Sequence, residues 1–298
     1  MQSISNSKPQ IGIIGVGLMG LGIATNILRS GRPLNFLQHE GNQPTDDLSA
    51  SHATGYLSCE ELAHNSDVII LCVTGSPQVE EVIFNKESGV LLGIQPGTVI
   101  IDCSTAIPNS TLKIAQAVEL AGAHFMDAPM TRTPKEAMEG RLNLIVGAER
   151  SLFDEQLPLL QSFAENITYA GPVSSGHKLK LLHNFVSLGF STVLAEAAAC
   201  AEKAQVAPEV LVEVLAKGGG AGVILQRLQP YIMEQDSSSF RFSIANATKD
   251  IGYYTEMAKD FEASSVSANA ILEILQKASD EGHAQNAMPE LIHILNQS

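Results

Sequence analysis

Lys180, His183, Asn184, Ser187 and Ser191 recur every three or four residues, so on a helix they form one polar stripe. Around them stand Leu179, Leu181, Leu182, Phe185, Val186, Leu188, Phe190, Val193 and Leu194. A surface helix carries an apolar stripe on a polar body. This segment inverts that pattern, which predicts a helix buried almost all round whose polar stripe lines a site or meets buried partners. Lys180 is its most telling member. A lysine in a partly desolvated cleft has its pKa lowered toward neutrality, which suits general acid and base work. Asn184, one turn on, can hydrogen-bond a substrate oxygen or orient the lysine. The blander alternative is a structural network that pairs Lys180 with a carboxylate. His183 has no second histidine or carboxylate at ligand spacing, so no metal site is expected. It counts among the candidate substrate contacts, although a hydrogen bond within the stripe is its plainer reading.

A second constellation is Gly15-Val16-Gly17-Leu18-Met19-Gly20. It follows the short β-rich run 11–15 and opens a helical pattern that lasts to Arg29. In that context a G-x-G-x-x-G is the turn of a dinucleotide site. The glycines permit a tight turn and close backbone approach, and the helix N-terminus offers N–H donors to a pyrophosphate. The alternative is a glycine-rich turn with no ligand. Gln38 and His39, at the end of the next strand run, fall where the ribose is read, and Val73, at the end of the run 67–73, is placed with the cofactor contacts. Glu40 lies 20 residues beyond Gly20. No arginine follows that strand to hold a 2′-phosphate, and a carboxylate would repel one, so the expectation leans to NAD over NADP.

The third is the stretch 127–140, DAPMTRTPKEAMEG. An arginine deep in a protein needs an anion. Arg132 either waits for an anionic ligand or turns outward to pair with Glu136 at i+4.

Residues of these types need elements to hold them. The 298 residues suit one large or two ordinary domains, and the apolar share of 45% is that of a globular protein. Apolar runs at 11–15, 34–38, 67–73, 98–103, 124–129 and 142–147 read as strands, with helical stretches near 60–64 and over 111–122 between them. Alternation of this kind predicts a parallel sheet with helices on both faces. Beyond Pro172 no convincing strand remains, and the pattern predicts one long helix over 178–206 and further helices to Ile294. The expected fold class is α/β: a Rossmann-like doubly wound sheet domain over 1–172, then an all-α domain over 173–298. The run Gly218-Gly219-Gly220 follows a helix rather than a strand, so it reads as a connection and not a phosphate loop.

A net charge of −14 argues against nucleic acid and anionic membrane surfaces as partners, while leaving room for a small anionic substrate in a locally positive pocket. The first ten residues lack the apolar core of a signal peptide, and no run of 18 apolar residues stands out. Cys72 and Cys103 sit in apolar runs as buried thiols, and none of the four cysteines forms a CxxC pair. A reduced, cytoplasmic protein is expected.

Taken in order, these motifs resemble the β-hydroxyacid dehydrogenases, a family that includes 3-hydroxyisobutyrate dehydrogenase, tartronate semialdehyde reductase and sulfolactaldehyde reductase. The glycine turn continues through Ala24, Asn26 and Gly31. Asp102-Cys103-Ser104-Thr105 resembles the Ser-Thr after the fourth strand, Asp127 to Thr133 the substrate loop, Gly176 to Asn184 the Gly-x-x-x-Lys-x-x-Asn-Asn, and Lys249-Asp250 the late Lys-Asp pair. The resemblance implies a two-domain NAD(P)-dependent enzyme with chemistry in the cleft, assembled as a homodimer or homotetramer. It implies Lys180 as general base in alcohol oxidation and general acid in aldehyde reduction, and Asn184 holding the reacting oxygen. It places Thr105 near nicotinamide and substrate, and Lys249 near the cofactor at the closing edge.

The chain departs from the family's Ser-Gly-Gly at Thr131, Arg132 and Thr133. Thr131 keeps a hydroxyl. Arg132 puts a guanidinium where the commonest members use backbone alone, which makes a carboxylate- or sulfonate-bearing substrate the expectation; sulfolactaldehyde reductases are similar in having an arginine-threonine pair there. Two other readings stand beside this one. Lys180 to Asn184 also resembles the Lys-x-x-His-Asn of decarboxylating 6-phosphogluconate dehydrogenase, although Ser187 stands where that family has a second acid. A dinucleotide-binding module without catalysis is the other, and the presence of Lys180 weighs against it.

Overall fold

The computed structural model describes residues 8–297. The chain divides into two compact units, one through Lys180 and one from Leu181.

The first unit holds nine strands: β1 (Ile11–Ile14), β2 (Leu34–Leu37), β3 (Thr54–Tyr56), β4 (Val68–Leu71), β5 (Val99–Asp102), β6 (His124–Asp127), β7 (Met130–Thr131), β8 (Leu142–Gly147) and β9 (Ala164–Gly171). Its helices are α1 (Gly20–Arg29), α2 (Asp46–Ala50), α3 (Cys59–His64), α4 (Ser76–Phe84), α5 (Val90–Gly93), α6 (Pro108–Leu120), α7 (Pro134–Met138) and α8 (Arg150–Leu160). The sheet order is β3-β2-β1-β4-β5-β6-β8-β7, with β9 beside β8. From β3 to β6 all pairs are parallel. The first six strands thus keep the 3-2-1-4-5-6 order of a doubly wound dinucleotide fold, whose ligands lie outside the carboxyl ends of the strands.

The apolar runs explain why these strands are central. β1, β4 and β5 are buried along their whole length. Alternate residues feed two cores: Ile13, Ile70 and Ile101 pack on one face, and Ile14, Ile69 and Ile100 on the other. Each such side chain contributes roughly 1.5–3 kcal/mol by leaving water.

The sheet departs from the expected all-parallel arrangement past β6. β8 runs antiparallel to both β6 and β7: β7 continues the direction of β6 past Ala128-Pro129, and the chain reverses over 132–141, where α7 lies. β3, β7 and β9 lie outside the six expected strands; β3 and β7 are too short to show a period, and β9 mixes polar with apolar residues at a sheet edge.

The second unit is helical: the body of α9 (Ser175–Lys203), then α10 (Pro208–Lys217), α11 (Val223–Glu234), α12 (Ile244–Asp260), α13 (Val266–Ala278) and α14 (Leu291–Gln297). Its core gathers Leu188, Leu194, Ala195, Leu228, Ile244, Ile251 and Leu275. Among its described residues the β pairing is a single bridge, Ser243 to Ala287.

The compact division falls inside α9, because the first turn of that helix is bonded into the sheet unit. The helix is also less enclosed than its composition implied: Leu179, Leu182, Val186 and Val193 are exposed, the last two at 69% and 59%. By length and composition α9 would cross a bilayer, yet 50% of its most apolar window is buried inside the protein, where it supplies the helical core.

Candidate active site

The glycine turn is built by exclusion. Gly15 has φ of +97°, and a Cβ there would lie 2.2 Å from the Cys72 carbonyl oxygen. A Cβ on Gly20 would fall 1.9 Å from the Gly15 oxygen, whereas one on Gly17 meets nothing within 4 Å. Two glycines therefore close the turn, and the third leaves its backbone open to a ligand. No side chain caps the N-terminus of α1, so its first N–H groups fit a pyrophosphate. Leu18 and Met19 form the rest of the turn, with Leu18 59% exposed. Val16 is tied on both sides of its peptide: its N–H donates to Asn42 Oδ1 at 3.3 Å, and its carbonyl accepts from the Gln43 N–H at 2.8 Å. Asn42 also donates to the Leu37 carbonyl at 2.8 Å, which fastens the turn to the end of β2. Sequence reading missed Asn42. Gln38, His39 and Glu40 are exposed beside it, and His39 Nδ1 accepts from the Gly41 N–H at 3.0 Å.

The ends of β4, β5 and β6 come next. The Val73 N–H donates to Ser104 Oγ at 3.1 Å. Thr105 is half-buried, with no hydrogen-bond partner for its hydroxyl among the described residues. Burial pushes the Cys72 thiol up to about 12 and Cys103 well above the usual thiol range. Neither is a nucleophile at neutral pH.

Asp127, the aspartate of Asp-Ala-Pro, is fully buried. One of its oxygens accepts the Ser174 N–H and the other the His177 N–H, each at 2.7 Å. A buried carboxylate thus satisfies two orphan donors at the start of α9. Burial raises its pKa above the ordinary aspartate value; the neighbouring His177 and the two N–H bonds act the other way without cancelling it. Gly147 and Gly176 make the approach possible, since a Cβ on Gly176 would sit 2.3 Å from the Ile145 carbonyl oxygen and 2.7 Å from Asp127 Oδ2. One turn further, the Lys180 ammonium donates to the Met130 carbonyl at 2.7 Å. The sheet unit therefore brings Lys180 to the residue that opens the Thr131–Thr133 loop.

In that loop every side chain has a partner. Thr131 Oγ1 accepts from Asn143 at 3.1 Å. Thr133 caps α7, with its N–H on Glu136 at 3.0 Å and its hydroxyl on the same oxygen at 2.5 Å. Arg132 has φ of 83°, the left-handed region that favours glycine. Its guanidinium donates to the Arg141 carbonyl and, at 2.5 Å, to the Glu165 carboxylate on β9. Glu165 also accepts from Arg141 at 3.3 Å. One alternative for Arg132 needs correction: the carboxylate it pairs with is Glu165 and not Glu136. A substrate anion would have to displace Glu165. Thr133, expected at the substrate, is committed to Glu136.

The helical unit holds a polar network of its own. Asn184, 5% exposed, donates through Nδ2 to Asp250 Oδ2 at 2.6 Å. Its Oδ1 lies 3.0 Å from Nδ1 of His183, which must carry the proton in that contact. Lys249 sits 2.8 Å from the other oxygen of Asp250 and 5.1 Å from the Tyr253 ring. Asp250 thus fixes which way the Asn184 amide faces, a role its place in the sequence did not announce.

Known proteins resemble this chain in both of its halves. Residues 10–171 fit the family model described as the NAD binding domain of 6-phosphogluconate dehydrogenase. The chain belongs to the β-hydroxyacid dehydrogenase family. Residues 174–295 fit a second model, described as the NAD-binding region of NADP-dependent 3-hydroxyisobutyrate dehydrogenase. Among relatives, 2-(hydroxymethyl)glutarate dehydrogenase of Eubacterium barkeri is 31% identical, over 84% of this chain and 83% of its own length. The NAD-dependent L-serine dehydrogenase of Pseudomonas aeruginosa is 29% identical, over 93% and 94%. The crystal structure of 3-hydroxyisobutyrate dehydrogenase from Salmonella typhimurium superposes with a TM-score of 0.84 at 23% identity, covering 96% of this chain and 100% of that one. The protein is an NAD(P)-dependent oxidoreductase of this family.

Proposed function

We propose that the enzyme interconverts a small, anionic 3-hydroxy acid and its semialdehyde, with Lys180 as the proton carrier. The observation that carries this reading is the Lys180 ammonium, held 2.7 Å from the Met130 carbonyl and one helical turn from Asn184. The nicotinamide cofactor supplies or accepts the hydride when bound on the glycine turn. Lys180 takes the hydroxyl proton in oxidation as the neutral amine and returns one in reduction as the ammonium, so no charge accumulates on the oxygen. Asn184, pinned by Asp250, offers its second Nδ2 hydrogen to the same oxygen. Thr105 holds the substrate from the end of β5, and Lys249 lies with the cofactor.

NAD over NADP is the proposed preference, supported by the Glu40 carboxylate and the lack of an arginine after β2. The loop Thr131–Thr133 is the proposed anion subsite, with Arg132 exchanging Glu165 for the substrate's carboxylate or sulfonate. Assembly as a homodimer or homotetramer is supported by the exposed apolar line Leu179, Leu182, Val186 and Val193. A cytoplasmic location accords with four free cysteines. The match of the helical half to the 3-hydroxyisobutyrate model supports this reading over a decarboxylating one.

The test is a panel of semialdehydes, including sulfolactaldehyde, succinic, tartronate and methylmalonate semialdehydes, each run with NADH and NADPH. One should turn over with an NADH preference, and Lys180→Ala should lower kcat by about 10²–10⁴-fold. Turnover that survives Lys180→Ala would end the proposal.

A further inference from the structure

The stripe that begins at Lys180 has an earlier member. His177 stands three residues before it, is 0% exposed, and takes no part in the proton path above. An imidazole is costly to bury unless both nitrogens are satisfied. Here both are. Nε2 lies 3.2 Å from the Ser104 carbonyl, just ahead of Thr105, and Nδ1 lies 2.7 Å from Thr111 Oγ1 on α6. Asp102 Oδ2 and Asp127 Oδ2 flank the ring at 3.9 and 3.8 Å, and the Asp102 oxygen has no hydrogen-bond partner.

A carbonyl only accepts, so Nε2 carries a hydrogen. Thr111 has one hydroxyl hydrogen and two acceptors within reach, His177 Nδ1 and the Ile107 carbonyl at 3.1 Å. With a neutral ring the hydroxyl donates to Nδ1. With a charged ring Nδ1–H donates to the hydroxyl, which turns to Ile107. Both nitrogens stay bonded in either state, and the His177 N–H remains on Asp127 throughout.

We propose that His177 is a positioning residue for the dehydrogenase reaction: its ring and its N–H fasten the first turn of α9 to the ends of β5 and β6, and so fix the Lys180 ammonium against the Met130 carbonyl. The inference rests on the proposed role of Lys180. Displacing a proton carrier by about 1 Å costs on the order of 100-fold in rate. A leucine would fill the volume but release β5 and α6. A glutamine can still donate to Ser104 and accept from Thr111.

The experiment compares His177→Leu, His177→Gln, Thr111→Val, Lys180→Ala and, as a control for lost stability, Leu160→Ala in a remote part of the same unit. Readouts are kcat, KM, dinucleotide Kd, melting temperature and the pH profile of kcat/KM. His177→Leu should lose about 100-fold in kcat and displace the pH profile, with dinucleotide Kd within about twofold. His177→Gln should recover kcat to within about fivefold of wild type with an unshifted profile, and Thr111→Val should fall about tenfold. Wild-type kcat in His177→Leu beside an inactive Lys180→Ala overturns the positioning role alone. An active Lys180→Ala overturns the lysine assignment and the inference with it. A Leu160→Ala that loses as much kcat at the same melting temperature assigns the effect to stability and overturns the proposal. If His177→Leu does not fold, a His177→Gln and a Thr111→Val that both match wild type overturn it as well.

Discussion

The turn after β1 and the loop after β6 both lie at carboxyl ends of strands, and they are built in opposite ways. The first is made of backbone. Gly15 and Gly20 are packed against main-chain oxygens, and the Asn42 side chain fastens the turn to the end of β2. The second is made of long polar side chains. Thr131, Arg132 and Thr133 are tied to Asn143, Glu165 and Glu136, partners as far as 33 residues away. A turn built on close backbone approaches tolerates no Cβ at Gly15 or Gly20. A site held by side chains can be retuned by changing either end of an ion pair.

That contrast can be broken at four points. Gly15→Ala should have the largest effect, because a left-handed φ and a 2.2 Å approach to Cys72 leave no relaxed geometry. Dinucleotide affinity, measured by titration, is expected to drop at least about 100-fold, and wild-type binding would show the turn is not rigid. Gly17→Ala should separate fold from ligand: the added methyl has room, so the melting temperature holds while dinucleotide affinity falls about tenfold.

Arg132→Gly should do the reverse. It relieves a left-handed arginine and removes an exposed ion pair, two small opposing terms, so the melting temperature should stay within about 2 °C. The KM for the best anionic substrate should rise about tenfold, and an unchanged KM would remove Arg132 from the subsite. The smallest effect concerns Glu165→Gln. Arg132 and then Arg141 hold the Glu165 carboxyl below the ordinary glutamate value. A depressed carboxyl adds stability above its unfolded pKa of about 4.3, and that stability is lost as pH falls through the lower folded value. Wild type and Glu165→Gln should therefore differ in melting temperature at pH 7 and converge below about pH 4. A gap that persists in acid would mean the pair is not what separates them.

Sequence legibility follows the same division. Five strands of the 3-2-1-4-5-6 core, β1, β2, β4, β5 and β6, and β8 beyond it were readable as apolar runs, whereas the three-residue β3 was not. α9 was readable from its inverted pattern. β7 and β9 were not, since two residues show no period and a half-polar edge strand looks like loop. The polar stripe exposed Lys180 and Asn184 but was started one turn too late: His177 at i−3 belongs to it and was passed over. Asp127 was quoted as a motif residue, and nothing local said it caps the helix that carries Lys180. Arg132 was singled out as an anion anchor, and the alternative named Glu136 where the structure has Glu165.

What the sequence determined by itself was everything set by local backbone demands and period: the glycine turn, the alternation of strand and helix, the switch to an all-helical second half, and the lysine and asparagine one turn apart. What only the tertiary structure decided was pairing across distance. Asp127 meets Ser174 and His177, His177 meets Ser104 and Thr111, and Arg132 meets Glu165, each through contacts that exist only once separate strand ends stand side by side. A charge in a sequence has many possible partners, and the fold leaves it those within about 3 Å.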